Sequence, residues 1–267
     1  MIFIGEKING TRKLIQQAVL DRNAAYITEV AKAQADAGAD YLDINAGTSP
    51  DRETEDMLWL IDTVQGAVET PLCIDSSSPK TLTAALERVN KTPMVNSVNA
   101  DPARLGSFLP LIKSRNCAVI ALAMDESKSG MPKDNAERQA NIERIFKATR
   151  AAGISDGSVF VDPLIMAVAT DQTAGVQTLE VIRWIRATYA EAHITGGFSN
   201  ISFGLPNRAL VNRTFLSLAI AFGADAAVID PCSVTIIESL KATDMLLGKD
   251  RFCRRYTVAA KEGFVKK

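Results

Sequence analysis

Two spacings of apolar residues interleave along the chain. Short apolar and β-branched runs occur at Ile2–Gly5, Tyr41–Asn45, Leu72–Asp75, Met94–Asn96, Ala118–Ala123, Val159–Asp162, Ile194–Ser199 and Ala226–Ile229. Their length and composition predict strands. Between them the apolar positions recur at helical spacing. Met57, Ile61, Val64 and Val68 fall on one face, as do Leu82, Ala85, Leu86 and Val89, and Leu105, Phe108, Leu109 and Ile112. A further apolar helical run extends from Leu210 to Phe222. Three helices in a row share one start signal, a capping side chain followed by proline, at Ser49-Pro50, Ser78-Pro79 and Asp101-Pro102.

Eight strand–helix units without a linker or composition break predict an α/β fold, a (β/α)8 TIM barrel spanning residues 1–267 as one domain. A doubly wound open sheet is the competitor, but no G-x-G-x-x-G follows the first strand.

In such barrels the chemistry sits at the C-terminal ends of the strands. Those ends carry Glu6, Asn9, Asp43, Asn45, Asp75, Asn96, Asp162 and Asn200, four carboxylates and four carboxamides converging on one mouth. Taken singly, each is as well explained as a turn former or helix cap. Asp75 could cap the helix at Pro79, and Asn45-Ala46-Gly47 reads as a turn. Repetition in unit after unit favours a binding site. The stretch from Thr195 to Arg208 adds Gly197, Ser199, Ser202, Gly204 and the cation of Arg208, in the strand–polar loop–helix order from which α/β enzymes build sites. Carboxylates with ordinary pKa values of about 4 would be ionised at neutral pH. They would hold a planar heterocycle with adjacent N–H and NH2 donors, while the amides read its mixed edge. A phosphate would call for cations, which the mouth mostly lacks. The one histidine, His193, precedes its strand and belongs at the opposite end of the barrel. With no His/Cys ligand cluster in the sequence, no metal is expected.

Charge and cysteines narrow the class. Lys plus Arg is 30 against Asp plus Glu at 31, a net charge of -1 with no basic stripe, which speaks against nucleic acid and anionic membranes. Four scattered cysteines, Cys73, Cys117, Cys232 and Cys253, fit a reduced compartment. The apolar N-terminus, Met1 to Ile4, is too short for a signal peptide, and the run near Phe215 to Phe222 is below the ~20 residues of a bilayer span. A cytoplasmic protein is expected.

In order along the chain, Gly5-Glu6-Lys7-Ile8-Asn9, Leu42-Asp43-Ile44-Asn45-Ala46-Gly47, Cys73-Ile74-Asp75-Ser76, Met94-Val95-Asn96-Ser97, Val161-Asp162-Pro163-Leu164, Ser199-Asn200-Ile201-Ser202 and Asn207-Arg208 resemble the pterin-binding barrel methyltransferases. The likeness is to the methyltetrahydrofolate:corrinoid protein methyltransferases of anaerobic bacteria and to the folate domain of cobalamin-dependent methionine synthase. The Phe203-Gly204-Leu205-Pro206 segment is nearer the methionine-synthase form of its loop. The resemblance implies a homodimer that takes tetrahydrofolate or 5-methyltetrahydrofolate as substrate and meets a corrinoid (cobalamin) carried by a partner protein. Asp75, Asn96 and Asp162 take the positions of pterin-edge ligands, Asn200 that of the residue facing N5, and Arg208 lines the same mouth. Asn200, Asp162 and Asp75 are the expected catalytic residues. Glu6, Asn9, Asp43, Gly197, Ser199 and Ser202 complete the expected binding set. The alternatives are a dihydropteroate synthase-like enzyme, whose Arg-x-His ending is missing here, and a non-catalytic folate-binding subunit of a corrinoid assembly.

Overall fold

The computed structural model describes residues 1–128 and 130–264. The strands are β1 (Ile2–Asn9), β2 (Tyr41–Asn45), β3 (Leu72–Asp75), β4 (Met94–Val98), β5 (Ala118–Leu122), β6 (Val159–Asp162), β7 (His193–Ile194) and β8 (Ala226–Ile229). They form one parallel sheet in the order β7-β6-β5-β4-β3-β2-β1-β8. The remaining gap is bridged by backbone bonds, Asp225 N–H to Ile194 O and Val228 N–H to Gly196 O, both 3.2 Å, so the sheet curls into a barrel. Around it run α1 (Lys13–Leu20), α2 (Ala24–Asp36), α3 (Glu53–Gln65), α4 (Pro79–Arg88), α5 (Pro102–Ser114), α6 (Asn135–Ala151), α7 (Ala174–Thr188), α8 (Arg208–Phe222), α9 (Val234–Leu246) and α10 (Arg254–Glu262).

Alternation along the strands separates two cores. Leu42, Ile44, Ile74, Val95, Val119, Ala121, Val159 and Val161 face the helices, where they pack against Met57, Ile61, Leu82, Leu86, Phe108 and Ile112. Ile4, Cys73, Met94, Ile120, Phe160 and Ala226 fill the barrel interior as a separate apolar cluster. The next inward positions toward the C-terminal ends are Glu6, Asp43, Asp75, Asn96 and Asp162. The polar mouth therefore stands directly on an apolar floor.

Four sequence expectations are corrected. First, β1 continues past Gly5 to Asn9 through a register shift between Gly5 and Ile8, an irregularity of the kind that re-aims side chains, and Glu6 falls within it. Second, β4 runs to Val98, two residues beyond the expectation, and β5 stops one residue short, at Leu122. Third, β7 is only His193–Ile194, and Phe198–Ser202 coils into a short 3-10 helix. The pair Gly196-Gly197 has little strand propensity. Fourth, Ser49-Pro50 starts no helix. Helix α3 begins at Glu53 behind Arg52 with no side-chain cap; Ser49 accepts the N–H groups of Arg52 and Glu53 at its carbonyl, both 2.9 Å, and its side chain hydrogen-bonds the Asp51 carboxylate. The other two signals work as expected, since Ser78 accepts from Thr81 N–H (3.2 Å) and Asp101 from Ala103 N–H (2.8 Å).

Thermal unfolding distinguishes these caps. Ser78→Ala is expected to cost about 1 kcal/mol, the usual loss for a helix N-cap. Ser49→Ala is expected to change stability by less than about 0.5 kcal/mol.

Candidate active site

A cavity of about 310 Å³ opens at the C-terminal ends of the strands, lined by Glu6, Asn9, Thr11, Arg12, Asp43, Asp75, Asn96, Ile120, Asp162, Gly197, Asn200 and Val228. Seven of the eight polar strand-end residues reach its wall. The eighth, Asn45, stands behind Asp75 and donates its amide to Asp75 Oδ2 at 3.0 Å. A larger groove of about 500 Å³ lies between α8 and α9, but its wall is largely aliphatic, with Leu210, Leu218, Leu246 and Leu247. Among the cavities described, carboxylates line only the one at the mouth of the barrel.

The carboxylates are not at ordinary pKa values, contrary to the sequence expectation. Burial pushes Asp43 up to about 7 and the neighbouring charge of Asp75 adds to it, while Asn96 and the Cys73 thiol pull it back by hydrogen bonding. Burial also raises Asp75, against the Asn45 amide. Asp162 rises to about 6 through burial, restrained by the backbone N–H groups of Leu164 and Gly197. Glu6 is raised by burial too, with Arg12 opposing. Desolvation dominates because the apolar barrel interior lies beneath these groups and few cations lie beside them.

Hydrogen bonds fix which atoms are left for a ligand. Asn96 Nδ2 donates to Asp43 Oδ1 at 3.1 Å, which leaves the Asn96 carbonyl as the free acceptor. Asp162 Oδ1 accepts from Leu164 N–H at 2.8 Å and keeps lone pairs for a donor. Asn9 Oδ1 accepts from Thr11 N–H at 3.0 Å and from Thr11 Oγ1 at 2.7 Å. Asn200 differs from Asn9, Asn45 and Asn96: among the described residues its side chain has no hydrogen-bond partner. Gly197 keeps it free to turn, since a Cβ there would sit 3.3 Å from Asn200 Nδ2.

Ser199, Ser202 and Arg208 do not line the cavity, although all three were expected in the binding set. They tie down the loop that carries Asn200. Arg208 Nε donates to Ser202 Oγ and its Nη2 to the Ser199 carbonyl, both 2.9 Å, and the guanidinium lies 4.5 Å over the Phe203 ring. Four lining residues escaped the sequence reading: Thr11, Arg12, Ile120 and Val228. Inward parity with Ala118 could have placed Ile120. Arg12 belongs to none of the strand ends or motifs singled out in the sequence. It enters because the loops after β1 and β2 pack backbone against backbone, where a Cβ on Gly10 would meet Ala46 O at 2.1 Å.

His193 lies at the foot of the barrel, as expected, with Nδ1 3.0 Å from Asp225 Oδ2 and its ring stacked on Phe160. Among the described residues no group of three or more His, Cys, Asp or Glu could hold a metal ion. No described helix is long and apolar enough to cross a membrane.

Residues 5–230 match the family described as pterin binding enzyme. A methylcorrinoid:tetrahydrofolate methyltransferase from Eubacterium limosum is 38% identical over 263 residues, 98% of this chain and 97% of that protein. Methionine synthase from Mycobacterium tuberculosis is 28% identical over 242 residues, 86% of this chain but only 20% of that larger protein. Among solved structures, a dihydropteroate synthase from Coxiella burnetii in complex with pteroic acid superposes with a TM-score of 0.71. It is 19% identical and covers 94% of this chain and 93% of that one, a likeness of fold.

The raised pKa of Asp162 sets a stability test. Its folded-state value, about 6, lies above that of the unfolded chain, so the folded protein holds the proton more tightly. This group therefore lowers stability as pH rises from about 4 through about 6. Asp162→Asn, which keeps an acceptor for Leu164 and removes the charge, is expected to stabilise the ligand-free protein by about 1–3 kcal/mol near pH 8. In denaturant unfolding that gain should shrink by more than half near pH 4.5. An equal gain at both pH values would mean that the carboxylate is not desolvated.

Proposed function

The chain belongs to the pterin-binding enzyme family, and we propose that it transfers a methyl group between N5 of tetrahydrofolate and the cobalt of a corrinoid carried by a partner protein. In this reading the whole chain acts as one barrel domain, a homodimer in the cytoplasm of an anaerobe. The relative from Eubacterium limosum, similar over nearly its full length, supports methyl transfer. The single observation that carries the role of the site is the unengaged carboxamide of Asn200 facing a cavity of desolvated carboxylates.

Asp75, Asp162 and the Asn96 carbonyl would take the N–H and NH2 donors of the pterin edge. A carboxylate accepting two such donors is ionised by them, which is the charge-assisted pairing that a ring of donors favours. Ile120 and Val228 supply apolar contact to the ring. At about 310 Å³ the cavity accommodates a heterocycle and excludes a corrin macrocycle, so the corrinoid would be presented at the mouth from outside.

In transfer out of the folate, the methyl carbon–N5 bond breaks with its electron pair left on nitrogen. The methyl carbon bonds to cobalt, whose own pair makes the new bond as Co(I) becomes Co(III). An amine anion is a poor leaving group, so N5 needs a proton or a strong hydrogen bond as the bond breaks. The Asn200 amide, free of protein partners, can turn its donor to N5 as charge develops there. An interaction that strengthens only in the transition state accelerates the reaction without tightening substrate binding. Arg208, Ser199 and Ser202 would act by holding the Asn200 loop in register.

The test is an anaerobic assay with 5-methyltetrahydrofolate and reduced cob(I)alamin, following loss of Co(I) absorbance. Asn200→Ala is expected to lower the rate about 10²- to 10³-fold, the loss typical of one positioned donor, with folate affinity nearly unchanged. Asp75→Ala and Asp162→Ala should weaken folate binding first, because their contacts exist in ground and transition states alike. Parallel losses of affinity and rate in Asn200→Ala would contradict the assignment.

A further inference from the structure

We propose that Arg12 forms a carboxylate-binding subsite on the rim of the cavity, where it takes the anionic tail of a folate whose heterocycle lies inside. The inference rests on the pterin reading of the cavity and extends it to a part of the ligand that the polar mouth does not address.

Space comes first. A volume of about 310 Å³ lies at the lower end of the ~300–1,000 Å³ of sites that enclose a drug-sized ligand. It suffices for the bicyclic ring, so the benzoyl-glutamate portion of a folate must leave over the rim. That portion carries the molecule's negative charges, and a rim that recognises them needs a cation.

Charge is the second argument. Among the described residues, Arg12 is the only cation that lines the cavity. Three neighbouring cations, Lys7, Arg104 and Arg208, are engaged elsewhere. Lys7 pairs with Asp230 at 3.1 Å. Arg104 donates to Ser97 O at 2.8 Å, lies 3.5 Å from Glu126 and packs over Phe108. Arg208 is held by the Asn200 loop. Lys13, next to Arg12, does not reach the cavity wall.

The third argument is valence. Among the described residues the Arg12 side chain makes one ion pair, Nη2 to Glu6 Oε1 at 3.1 Å, and it is 46% exposed. A single monodentate contact leaves most of the guanidinium fork open, and that fork matches a carboxylate in a bidentate pair. The Glu6 contact holds Arg12 at the cavity wall, and the β1–α1 loop that carries it packs tightly at Gly10 against Ala46.

The experiment compares two ligands by calorimetry: 5-methyltetrahydrofolate, and a 5-methyltetrahydropterin that lacks the benzoyl-glutamate tail. In the full-length protein, Arg12→Ala is expected to weaken folate binding about 10-fold, the equivalent of ~1.4 kcal/mol. The tail-less pterin should change less than about twofold, and Arg12→Lys should restore part of the folate affinity, a point charge without the fork. In the wild type, the advantage of folate over the tail-less pterin should shrink as salt is raised, and in Arg12→Ala it should already be small and insensitive to salt. Equal weakening of both ligands would overturn the proposal and leave Arg12 as a support for Glu6. Unchanged affinity for both, with slower transfer only to a protein-bound corrinoid, would also overturn it. If the wild type binds neither ligand, the pterin reading itself fails, and that outcome is distinct from both.

Discussion

Three aspartates sunk in the mouth of the barrel, Asp43 buried and Asp75 and Asp162 partly so, with few cations beside them, are the constraint around which this site is built. A lone buried carboxylate is costly to ionise. Here the barrel interior beneath the mouth is apolar, filled by Ile4, Cys73, Met94, Ile120, Phe160 and Ala226. Amides and backbone N–H groups meet part of the aspartates' demand: Asn96 serves Asp43, Asn45 serves Asp75, and Leu164 serves Asp162. The remainder is left for a ligand rich in N–H donors. The protein thus keeps its acceptors underfed, and the resulting rise of Asp43 to about 7 and Asp162 to about 6 is the mark of that arrangement.

The same logic separates the two kinds of amide. Asn45 and Asn96 are committed to carboxylates, so their orientation is fixed before any ligand arrives. Asn200 sits on an irregular loop that replaces the end of β7, braced from behind by Arg208 on Ser199 and Ser202. Binding groups are rigid and the group assigned to the reacting nitrogen is free to turn, a division suited to holding a ring firmly while responding to charge that appears only during reaction.

Much of the fold was legible because barrel strands are short and separated by helices with clear apolar faces. Seven of the eight strands form where the sequence puts them, while β7 shares only Ile194 with its expected range; of the three cited helical faces, Val68 falls beyond the end of α3 and Val89 at the C-cap of α4. Errors fell at ends, where tertiary geometry decides. A register shift carries β1 on to Asn9, two glycines cut β7 short, and Ser49-Pro50 forms a turn that resembles a helix start. At the site, strand-end position found Glu6, Asn9, Asp43, Asp75, Asn96, Asp162 and Asn200. It missed Arg12, which reaches the mouth only through a backbone contact between two loops, and it could not tell Arg208 bracing a loop from Arg208 facing a ligand. Burial likewise leaves no trace in sequence, so the carboxylates read as ordinary acids.

The most direct test of the account is proton release on folate binding. A pterin edge that donates into the desolvated aspartates should drive them to the ionised form and lower their pKa values. Titration of 5-methyltetrahydrofolate near pH 6.5 in two buffers of different ionisation enthalpy gives the proton count. The account predicts release of a sizeable fraction of a proton, reduced in Asp162→Asn. Binding with no proton exchange, or with uptake, would contradict the claim that the ligand satisfies buried, partly protonated carboxylates.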